Sequence, residues 1–488
     1  MSEKSATTRS ATGVTADPTS ATVSTSNKLE RTLSHRKLGM IAMGSALGTG
    51  LFLGSGAAIS TAGPAAIISF AIASVIGMII VLAMAEMASR YPVRGGFGSL
   101  AARFISPFWG FLVRWLYAVV AIAVTAAEVL ACATYLGYWF PNLPMWVGAA
   151  IFAIIIITVN VISVGTFGVV EFFLSTVKVV AVLVFIAVGL LLIFVGVGGT
   201  PAVGLGNWTN DGGFAPAGFN GIWLAMAFVV FSFGGIEVLS ISAAEAADPQ
   251  RAVRVAARTT VVRLSFFYVA AVAIVVALVP WRQAGGLGKD VEHSPFVLAF
   301  HKIGIEGAAH LTNIVVLIAA LSAANAMLYA GSRFFHSLAD DGLAPRILAR
   351  TSRRGVPVFS LVVAATGLAI VVVLTLAGAQ ILGNIMALAS FIILLIWLLI
   401  LATYLCYFRN RGERQGFNLL GGQVTAIIGI AGLLFVLSTA AVMPHMQLAA
   451  QIGVPFVAAV SLGWLFLRRT YRGDAQRQAF AEADSASS

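Results

Sequence analysis

The chain has 488 residues, of which 59% are hydrophobic and only 10% are charged, against a charged share of about 25% in a typical soluble domain. This composition excludes a soluble globular protein. The net charge of +11 comes from basic residues in short groups between apolar blocks, unlike the aromatic-interleaved basic surface typical of nucleic-acid binding. Both cysteines lie inside apolar blocks, so the sequence offers neither a disulfide framework nor a metal cluster.

The chain begins with a polar tail and continues as apolar segments. Residues 1–37 are predicted to form a disordered cytoplasmic tail, because the stretch up to about Asn27 is rich in Ser, Thr and Ala and poor in large apolar side chains. Each apolar segment has the ~20-residue length that crosses about 30 Å of hydrocarbon. The twelve predicted limits are 38–60, 64–88, 107–138, 144–163, 168–197, 220–242, 260–280, 307–336, 357–378, 381–408, 420–440 and 449–468. Residues 469–488 are predicted to form a second cytoplasmic tail.

The basic residues indicate which side of the membrane the two termini face. Arginines crowd the loops after the second, sixth, eighth and tenth segments, whereas the opposite side offers only Arg282, Lys289 and Lys302. The positive-inside rule therefore predicts a multi-pass protein of the cytoplasmic membrane with both termini in the cytoplasm. Arg114 and Arg333 lie near the inner interface, where we expect their side chains to snorkel towards water.

The first apolar segment is unusually rich in glycine. Five glycines fall in the thirteen residues from Gly44 to Gly56, and each costs up to ~1 kcal/mol relative to Ala in a helix interior. One interpretation is a close helix-packing seam, since the glycines have small-residue spacing. The other is a helix broken near Gly48 to Gly50, with free amides lining a cavity. This segment alone favours neither.

The sixth segment favours the broken helix. It also places a glycine pair, Gly234 and Gly235, at mid-membrane depth, and Glu237 follows. Interrupted helices at corresponding positions of two halves are typical of the binding site of a secondary transporter. The sequence thus predicts an all-α protein in which 38–197 and 220–408 form a 5+5 inverted repeat and 420–468 adds two further helices.

Broken helices give the predicted site a definite chemistry. A half-helix that begins near Thr49 presents unpaired N–H groups and a positive dipole end, which favour a carboxylate. Unpaired carbonyl groups around Ser232, Phe233 and Gly234 would accept hydrogen bonds from an ammonium. A ligand with both groups close together is an α-amino acid. Besides this small molecule and the lipid bilayer, we expect neither a nucleic-acid partner nor an obligatory protein partner.

Five ionisable side chains within or at the ends of apolar segments need a reason to be there, because an acid at a helix centre costs at least ~2.5 kcal/mol on insertion scales. Glu86 lies beside arginines and Glu171 at a helix start, which favours structural roles. Glu128 and Glu237 have no nearby sequence partner and are candidate proton carriers, although either could simply hold helices together. Lys178 is a candidate fixed cation or proton-exchanging group, with pairing to a buried acid as the alternative.

At these residues the chain resembles the amino acid–polyamine–organocation superfamily, and within it the bacterial amino acid transporter family of proline, aromatic and D-alanine/glycine permeases. The resemblance spans about residues 36 to 410. The matching stretches are Gly44 to Gly56, Ala62-Gly63-Pro64, Ala85-Glu86-Met87, Phe167 to Lys178, Phe231 to Glu245, Ser294-Pro295-Phe296-Val297 and Arg353-Arg354-Gly355-Val356-Pro357.

The resemblance implies a twelve-helix LeuT-like fold whose first and sixth helices are unwound at the substrate. It also implies that the substrate carboxylate binds the amides of Gly48, Thr49 and Gly50, and that the amine meets the two unwound helices near Ala46 and Phe231. Phe231 lies where the family places an aromatic gate over the ligand.

Further roles follow from the same resemblance. Lys178 matches a fifth-helix lysine that replaces sodium in sodium-independent members, and Ser322 is its expected partner. The eighth segment has Asn325-Ala326 where relatives commonly have Asn-Ser, and the third segment around Glu128 is also less polar. A less polar pocket around Asn325 disfavours charged or hydroxylated substrates.

These observations predict a permease that imports a neutral L-amino acid, proline-like, small aliphatic or aromatic, by proton symport and alternating access. Ion-independent exchange is the alternative mechanism. An intramembrane enzyme is disfavoured, since the six histidines lie in loops or at segment ends and no His-Glu-x-x-His, Gly-x-Ser-x-Gly or Walker pattern occurs. A channel is disfavoured because the segments carry almost no polar stripe. No catalytic residue, metal ligand or cofactor is predicted. The predicted coupling ion is the proton.

Overall fold

The computed structural model describes residues 39–40, 46–93, 95–162, 164–196, 201–242, 248–283, 295–301, 307–377, 381–410, 418–473, 476–478, 480–481 and 484. The predicted N-terminal tail, Gly44 at the start of the glycine-rich stretch, and Lys289 and Lys302 in the outer loops lie outside the described residues. Within the described residues the regular elements are all helical, and no strand is present.

Fifteen α-helices follow one another along the described residues, and a π-helical turn, Gly50–Gly54, precedes the first. In chain order they are α1 (Ser55–Ala62), α2 (Ala66–Arg90), α3 (Gly96–Phe104), α4 (Pro107–Gly137), α5 (Met145–Ile162), α6 (Val164–Phe194), α7 (Gly218–Phe233), α8 (Val238–Ser242), α9 (Pro249–Leu278), α10 (Pro295–His301), α11 (Ala308–Asp340), α12 (Val358–Leu374), α13 (Ile381–Asn410), α14 (Gln423–Leu437) and α15 (Pro444–Leu467).

Each of the twelve predicted segments overlaps an apolar helix. Among the described residues, nine helical stretches are long and apolar enough to cross a membrane. One of them, Gly50–Arg90, has 41 residues and contains residues 50–60 of the first predicted segment and the whole of the second. The seventh and ninth segments correspond to the shorter apolar helices Leu264–Leu278 and Val358–Leu374. The chain is thus a multi-pass membrane protein, and the count of twelve crossings stays a prediction.

Glycine and proline end the first helix where the sequence places its loop. Gly63 has a φ of 65°, a left-handed conformation that costs glycine little because it has no Cβ. Pro64 follows at the start of a short 3₁₀ turn, where its missing N–H and fixed φ are tolerated. Helix α1 therefore stops at Ala62, and α2 begins at Ala66.

The helices differ strongly in how much of their surface is buried. Most of α4 is enclosed by other helices, and it packs along α11 and α13. By contrast α15 is almost entirely exposed, and Phe466 near its end is 80% accessible. In a bilayer such apolar exposure faces lipid, because hydrocarbon is as good a solvent for these side chains as a protein core. The site described below is built around the buried helix α4.

Arg114 does not snorkel, so that prediction is wrong. Its side chain is 0% exposed, and its guanidinium lies 2.5 Å from the carboxylate of Asp341, just beyond the end of α11. It also donates to the carbonyl of Gly110 at 2.9 Å and to the hydroxyl of Ser337 at 3.0 Å. A paired guanidinium needs no path to water. Arg333 is also buried and lies 3.6 Å over the ring of Tyr329.

The described part of the C-terminal tail contacts the membrane domain. The carboxylate of Asp484 accepts hydrogen bonds from the Tyr91 hydroxyl at 2.9 Å and from Arg103 at 2.7 Å. Phe480 is buried, with its ring centroid 5.5 Å from that of Tyr91 and 4.5 Å from the Arg103 guanidinium. We call these contacts the tail contact; it joins the end of the chain to α3 and to the end of α2.

Charge should control the tail contact, and acid should not release it in the physiological range. Burial favours the neutral carboxyl of Asp484, but hydrogen bonds from Arg103 and Tyr91 outweigh it and lower the pKa below its ordinary value. Because the pKa is lowered in the docked state, the carboxylate stabilises docking fully at any pH above the pKa of the undocked carboxyl. This stabilisation is lost only as the pH falls through the lower pKa of the docked state. Docking should thus be constant from about pH 5 to pH 8 and weaken at high salt.

The rate of tryptic cleavage after Arg477 in purified full-length protein measures this docking. Asp484→Asn should speed cleavage at low salt, and high salt should bring the wild type close to the variant. Equal cleavage rates for the two proteins at low salt would show that the carboxylate does not hold the tail.

Candidate functional site

The first membrane helix is irregular at the predicted position. The backbone bends at Leu47 and Gly48, and the π-helical turn Gly50–Gly54 follows. A Cβ on Gly50 would overlap the backbone of Ser232 in the sixth segment. Glycine is therefore required here by the close approach of two main chains.

The sixth segment is interrupted at its glycine pair. Helix α7 ends at Phe233 and α8 begins at Val238, with turns between them. Gly235 has a φ of 101°, a conformation that favours glycine. Gly234 leaves the helix with a ψ of 139°. Both irregular stretches lie where the sequence placed them, while the inverted-repeat relation between the two halves stays a prediction.

Tyr268 joins the two irregular stretches. Its hydroxyl, on α9, lies 2.6 Å from the carbonyl oxygen of Ala46 and 2.6 Å from that of Ser232. One hydroxyl proton can be donated to either carbonyl. The Ala46 oxygen also accepts from the N–H of Gly48 at 2.9 Å, so this predicted ligand amide is engaged within the first helix. Tyr268 is not among the site residues predicted from the sequence. A tyrosine inside an apolar segment was the available signal, because a buried hydroxyl needs a partner.

Glu128 lies against the free amide of the first helix. Its carboxylate oxygens accept hydrogen bonds from the Thr49 N–H at 3.1 and 3.2 Å, and the residue is 3% exposed. A Cβ on Gly48 would overlap this carboxylate. The amide that the sequence assigned to a ligand carboxylate thus faces a carboxylate of the protein itself.

Two acids surround Lys178. The Lys178 side chain, on α6, is completely buried and interacts electrostatically with both Glu171 and Glu128. In turn Glu171 accepts hydrogen bonds from Ser322 at 2.5 Å and from Asn325 at 3.2 Å, both on α11. We call Thr49, Glu128, Glu171, Lys178, Ser322 and Asn325 the central polar cluster.

The cluster changes the roles expected of several residues. Ser322, the expected partner of Lys178, donates to Glu171. The amide nitrogen of Asn325 donates to Glu171, and its amide oxygen accepts a hydrogen bond of 2.8 Å from Asn160. Glu171, expected to stabilise a helix start, instead connects α6 to α11. Asn160 is not among the site residues predicted from the sequence, and the available signal was an amide side chain in an apolar segment.

Glu237 lies in a separate environment. It is buried and accepts hydrogen bonds from the Gly235 N–H at 3.1 Å and from the Trp397 indole at 3.3 Å. The Tyr117 hydroxyl is a further hydrogen-bond partner. These neutral donors fix the turn between α7 and α8, which supports the structural alternative for this acid.

The aromatic residues of the sixth segment have different neighbours. Phe231 lines a small cavity with Met386 of α13 and with Met443 and Met446 at the start of α15. Phe233 packs its ring edge-on against Tyr268, 4.5 Å between centroids. The Ser232 hydroxyl between them is buried and, among the described residues, has no hydrogen-bond partner. It is a polar group that a ligand can satisfy.

Metal coordination is not supported by the described part of the chain. There, no three His, Cys, Asp or Glu side chains come together in a group that could hold a metal ion. Cys132 and Cys406 are free thiols. The polar groups at the site are amides, carbonyls, hydroxyls, carboxylates and one ammonium, which suit a small zwitterion.

A family model described as amino acid permease matches residues 37–475. The chain belongs to the amino acid permease family. This permease is 36% identical over 452 residues to the aromatic amino acid transport protein AroP of Escherichia coli O6:H1, covering 91% of this chain and 97% of that one. AroP of Shigella flexneri is also 36% identical over 452 residues, with 91% and 96% covered.

The permease also shares its fold with solved structures. Two crystal structures of a manganese transporter from Eremococcus coleocola superpose with TM-scores of 0.58 and 0.59, and each comparison covers 94% of this chain and 99% of the other. At 14% and 13% identity the likeness shows the fold alone. It confirms the predicted all-α, LeuT-like membrane fold, and the family confirms that the chain is not an enzyme.

The close approach at Gly50 gives a test of the site geometry. Gly50→Ala should lower the melting temperature and reduce uptake, because the added Cβ would overlap the Ser232 backbone and overpacking costs about 1–3 kcal/mol. Gly383→Ala is the matched control, since its Cβ would meet nothing within 4 Å. Thermal unfolding in detergent and vesicle uptake measure the two effects. Equal behaviour of both variants would contradict the close approach.

Proposed function

We propose that this permease imports a neutral amino acid across the cytoplasmic membrane by proton symport and alternating access. The observation that carries the proposal is the Glu128 carboxylate on the Thr49 amide, 3.1 Å away, at the irregular first helix. An amide that binds one carboxylate has the position and polarity to bind another. The same residues also support a mechanism for coupling.

The two main chains offer complementary groups for a zwitterion. The Thr49 N–H is a donor for the substrate carboxylate, and the carbonyl group of Ser232 is an acceptor for its ammonium. The Ser232 oxygen has two lone pairs, so it can accept from Tyr268 and from a ligand together. The Ala46 oxygen already accepts from Tyr268 and from the Gly48 N–H. The Ser232 hydroxyl adds a further partner. We assign the amino acid backbone to these groups.

Aromatic side chains suit this site better than the proline-like or small aliphatic alternatives. Both AroP relatives are aromatic amino acid transport proteins. In this chain Asn325, a polar side chain of the predicted pocket, is engaged by Asn160 and Glu171. With that amide committed to the protein, recognition of the substrate side chain rests on apolar contact, in which large aromatic rings bury the most surface.

Glu128 provides the coupling step. The ionised carboxylate occupies the Thr49 N–H and repels a second carboxylate at the same amide. When a proton from outside binds Glu128, this repulsion ends and the substrate carboxylate takes the amide. After the inward swing, loss of that proton to the cytoplasm restores the Glu128–Thr49 contact and displaces the substrate. One proton thus moves inward with each amino acid, while Lys178 stays as a fixed cation beside the site.

Glu128→Gln tests this coupling in proteoliposomes. In the wild type a difference of about one pH unit should drive up to about tenfold accumulation of labelled phenylalanine, since one proton moves per substrate. The variant should lose accumulation and keep exchange with preloaded phenylalanine, because a neutral amide carries no proton. Glu237→Gln is the control and should still accumulate substrate. Accumulation driven by the pH difference in the Glu128 variant would refute the coupling. Uptake by the wild type only into preloaded vesicles would favour exchange.

Substrate choice is tested separately by thermal shift. All twenty amino acids should be screened against the purified permease, with phenylalanine, tyrosine and tryptophan expected to raise the melting temperature. Lysine and glutamate should not, because a second side-chain charge would be buried without a partner. Stabilisation by proline or small aliphatic amino acids, and not by aromatic ones, would contradict the assignment.

A further inference from the structure

A second cavity lies far along α4 from the central polar cluster, at the arginine-rich ends of the helices. It has a volume of about 640 Å³ and opens to the surface. Its walls come from the start of α4, from the chain that follows α11 and from the end of α15. The lining residues include Trp115 of α4, Arg346 in the chain after α11, and Leu467, Arg469 and Arg472 at and beyond the end of α15.

The cavity is strongly basic. Arg346, Arg469 and Arg472 line it, and all three are exposed. None of the described lining residues is acidic. The neighbouring carboxylate of Asp341 is paired with Arg114, so it does not neutralise these guanidinium groups. Three arginines around an open cavity attract an anion, and their planar donors match the oxygens of a phosphate.

A buried donor in the wall points to the same chemistry. The indole Nε1 of Trp115 is buried and, within the described residues, has no hydrogen-bond partner. An unpaired buried N–H costs free energy, and a ligand oxygen can accept from it once the cavity wall shifts to admit that oxygen. This orphaned donor is independent of the arginine charges, and both features call for an acceptor-rich anion.

The cavity lies at the depth of lipid headgroups. Helix α15 ends at Leu467, which lines the cavity, and α11 ends at Asp340, two residues before the lining begins. Directly next to it α15 exposes Leu462, Leu465 and Phe466 to the surroundings. An anion held by the arginines would therefore have an apolar surface beside it. Acyl chains attached to the anion can pack on that surface, whereas a soluble phosphate has no apolar part to contact it.

We propose that this cavity binds the phosphate of an anionic glycerophospholipid, whose acyl chains lie along the exposed face of α15. By the positive-inside rule this is the cytoplasmic leaflet, and basic pockets between helices on that side suit acidic headgroups. The bound lipid connects α15 to the end of α11. That junction is already held by a hydrogen bond of 2.8 Å from the Thr470 hydroxyl to the Gly342 carbonyl.

Lipid titration of the purified full-length permease tests the proposal. Phosphatidylglycerol should raise the melting temperature, and phosphatidylcholine with the same acyl chains should not. Inorganic phosphate at the same concentration should also have no effect, because it lacks the acyl chains. Equal stabilisation by both lipids would overturn the proposed anion selectivity, and stabilisation by inorganic phosphate alone would overturn the lipid assignment.

Two sets of variants locate the effect. Replacing Arg346, Arg469 and Arg472 together by Gln should weaken phosphatidylglycerol binding at least about tenfold, as expected when three charges near a membrane surface are lost. The matched control removes three exposed arginines outside the cavity on the same face, at positions 350, 353 and 409, and should bind like the wild type.

Trp115→Phe should also weaken binding, since it removes the N–H and keeps a ring of similar shape. Because this variant changes no charge, it separates the cavity from general attraction to a basic surface. The proposed site would be overturned if the cavity variants and the control with three distant arginines removed lost lipid affinity equally. Wild-type affinity in the variant that lacks Arg346, Arg469 and Arg472 would also overturn it.

Discussion

The structure depends on one constraint: in a membrane interior, polar groups released from a helix have to be satisfied within the protein. The irregular first and sixth helices release such groups at the same place. The Thr49 amide is met by Glu128, and the carbonyl groups of Ala46 and Ser232 are met by Tyr268. The partners come from α4 and α9, so these helices are held in place by the groups that a substrate would use.

The central polar cluster adds a constraint of charge. If both Glu128 and Glu171 are ionised, the two acids and Lys178 carry one net negative charge in a medium of low dielectric constant, where unbalanced charge is costly. One proton makes the cluster neutral, and a zwitterionic substrate leaves that balance unchanged. Serine and asparagine donors surround Glu171, whereas Glu128 has the main-chain amide that we propose for the ligand. In the proposed cycle the proton and the substrate therefore act on the same carboxylate.

Local pattern predicted the helices and their interruptions, because apolar length and glycine content are properties of adjacent residues. Partners distant in the chain were not predictable in this way. Arg114 was expected at the membrane surface, but Asp341 lies 227 positions later and pairs with it inside the protein. Glu86 was assigned to nearby arginines, and the structure adds hydrogen bonds from the Tyr404 hydroxyl and the Leu419 N–H, both at 2.7 Å.

The same limit explains why sequence alone treated Glu128 and Glu237 alike. Both are acids in apolar segments, and only their partners distinguish them. Glu237 accepts from the Gly235 amide and the Trp397 indole, groups that hold a turn and are not offered to a ligand. The partner of Glu128 is the Thr49 amide at the end of an irregular helix. In the proposed cycle this carboxylate shares its donor with the substrate, so it has to leave the amide when the substrate arrives, and that displacement would couple the proton to transport.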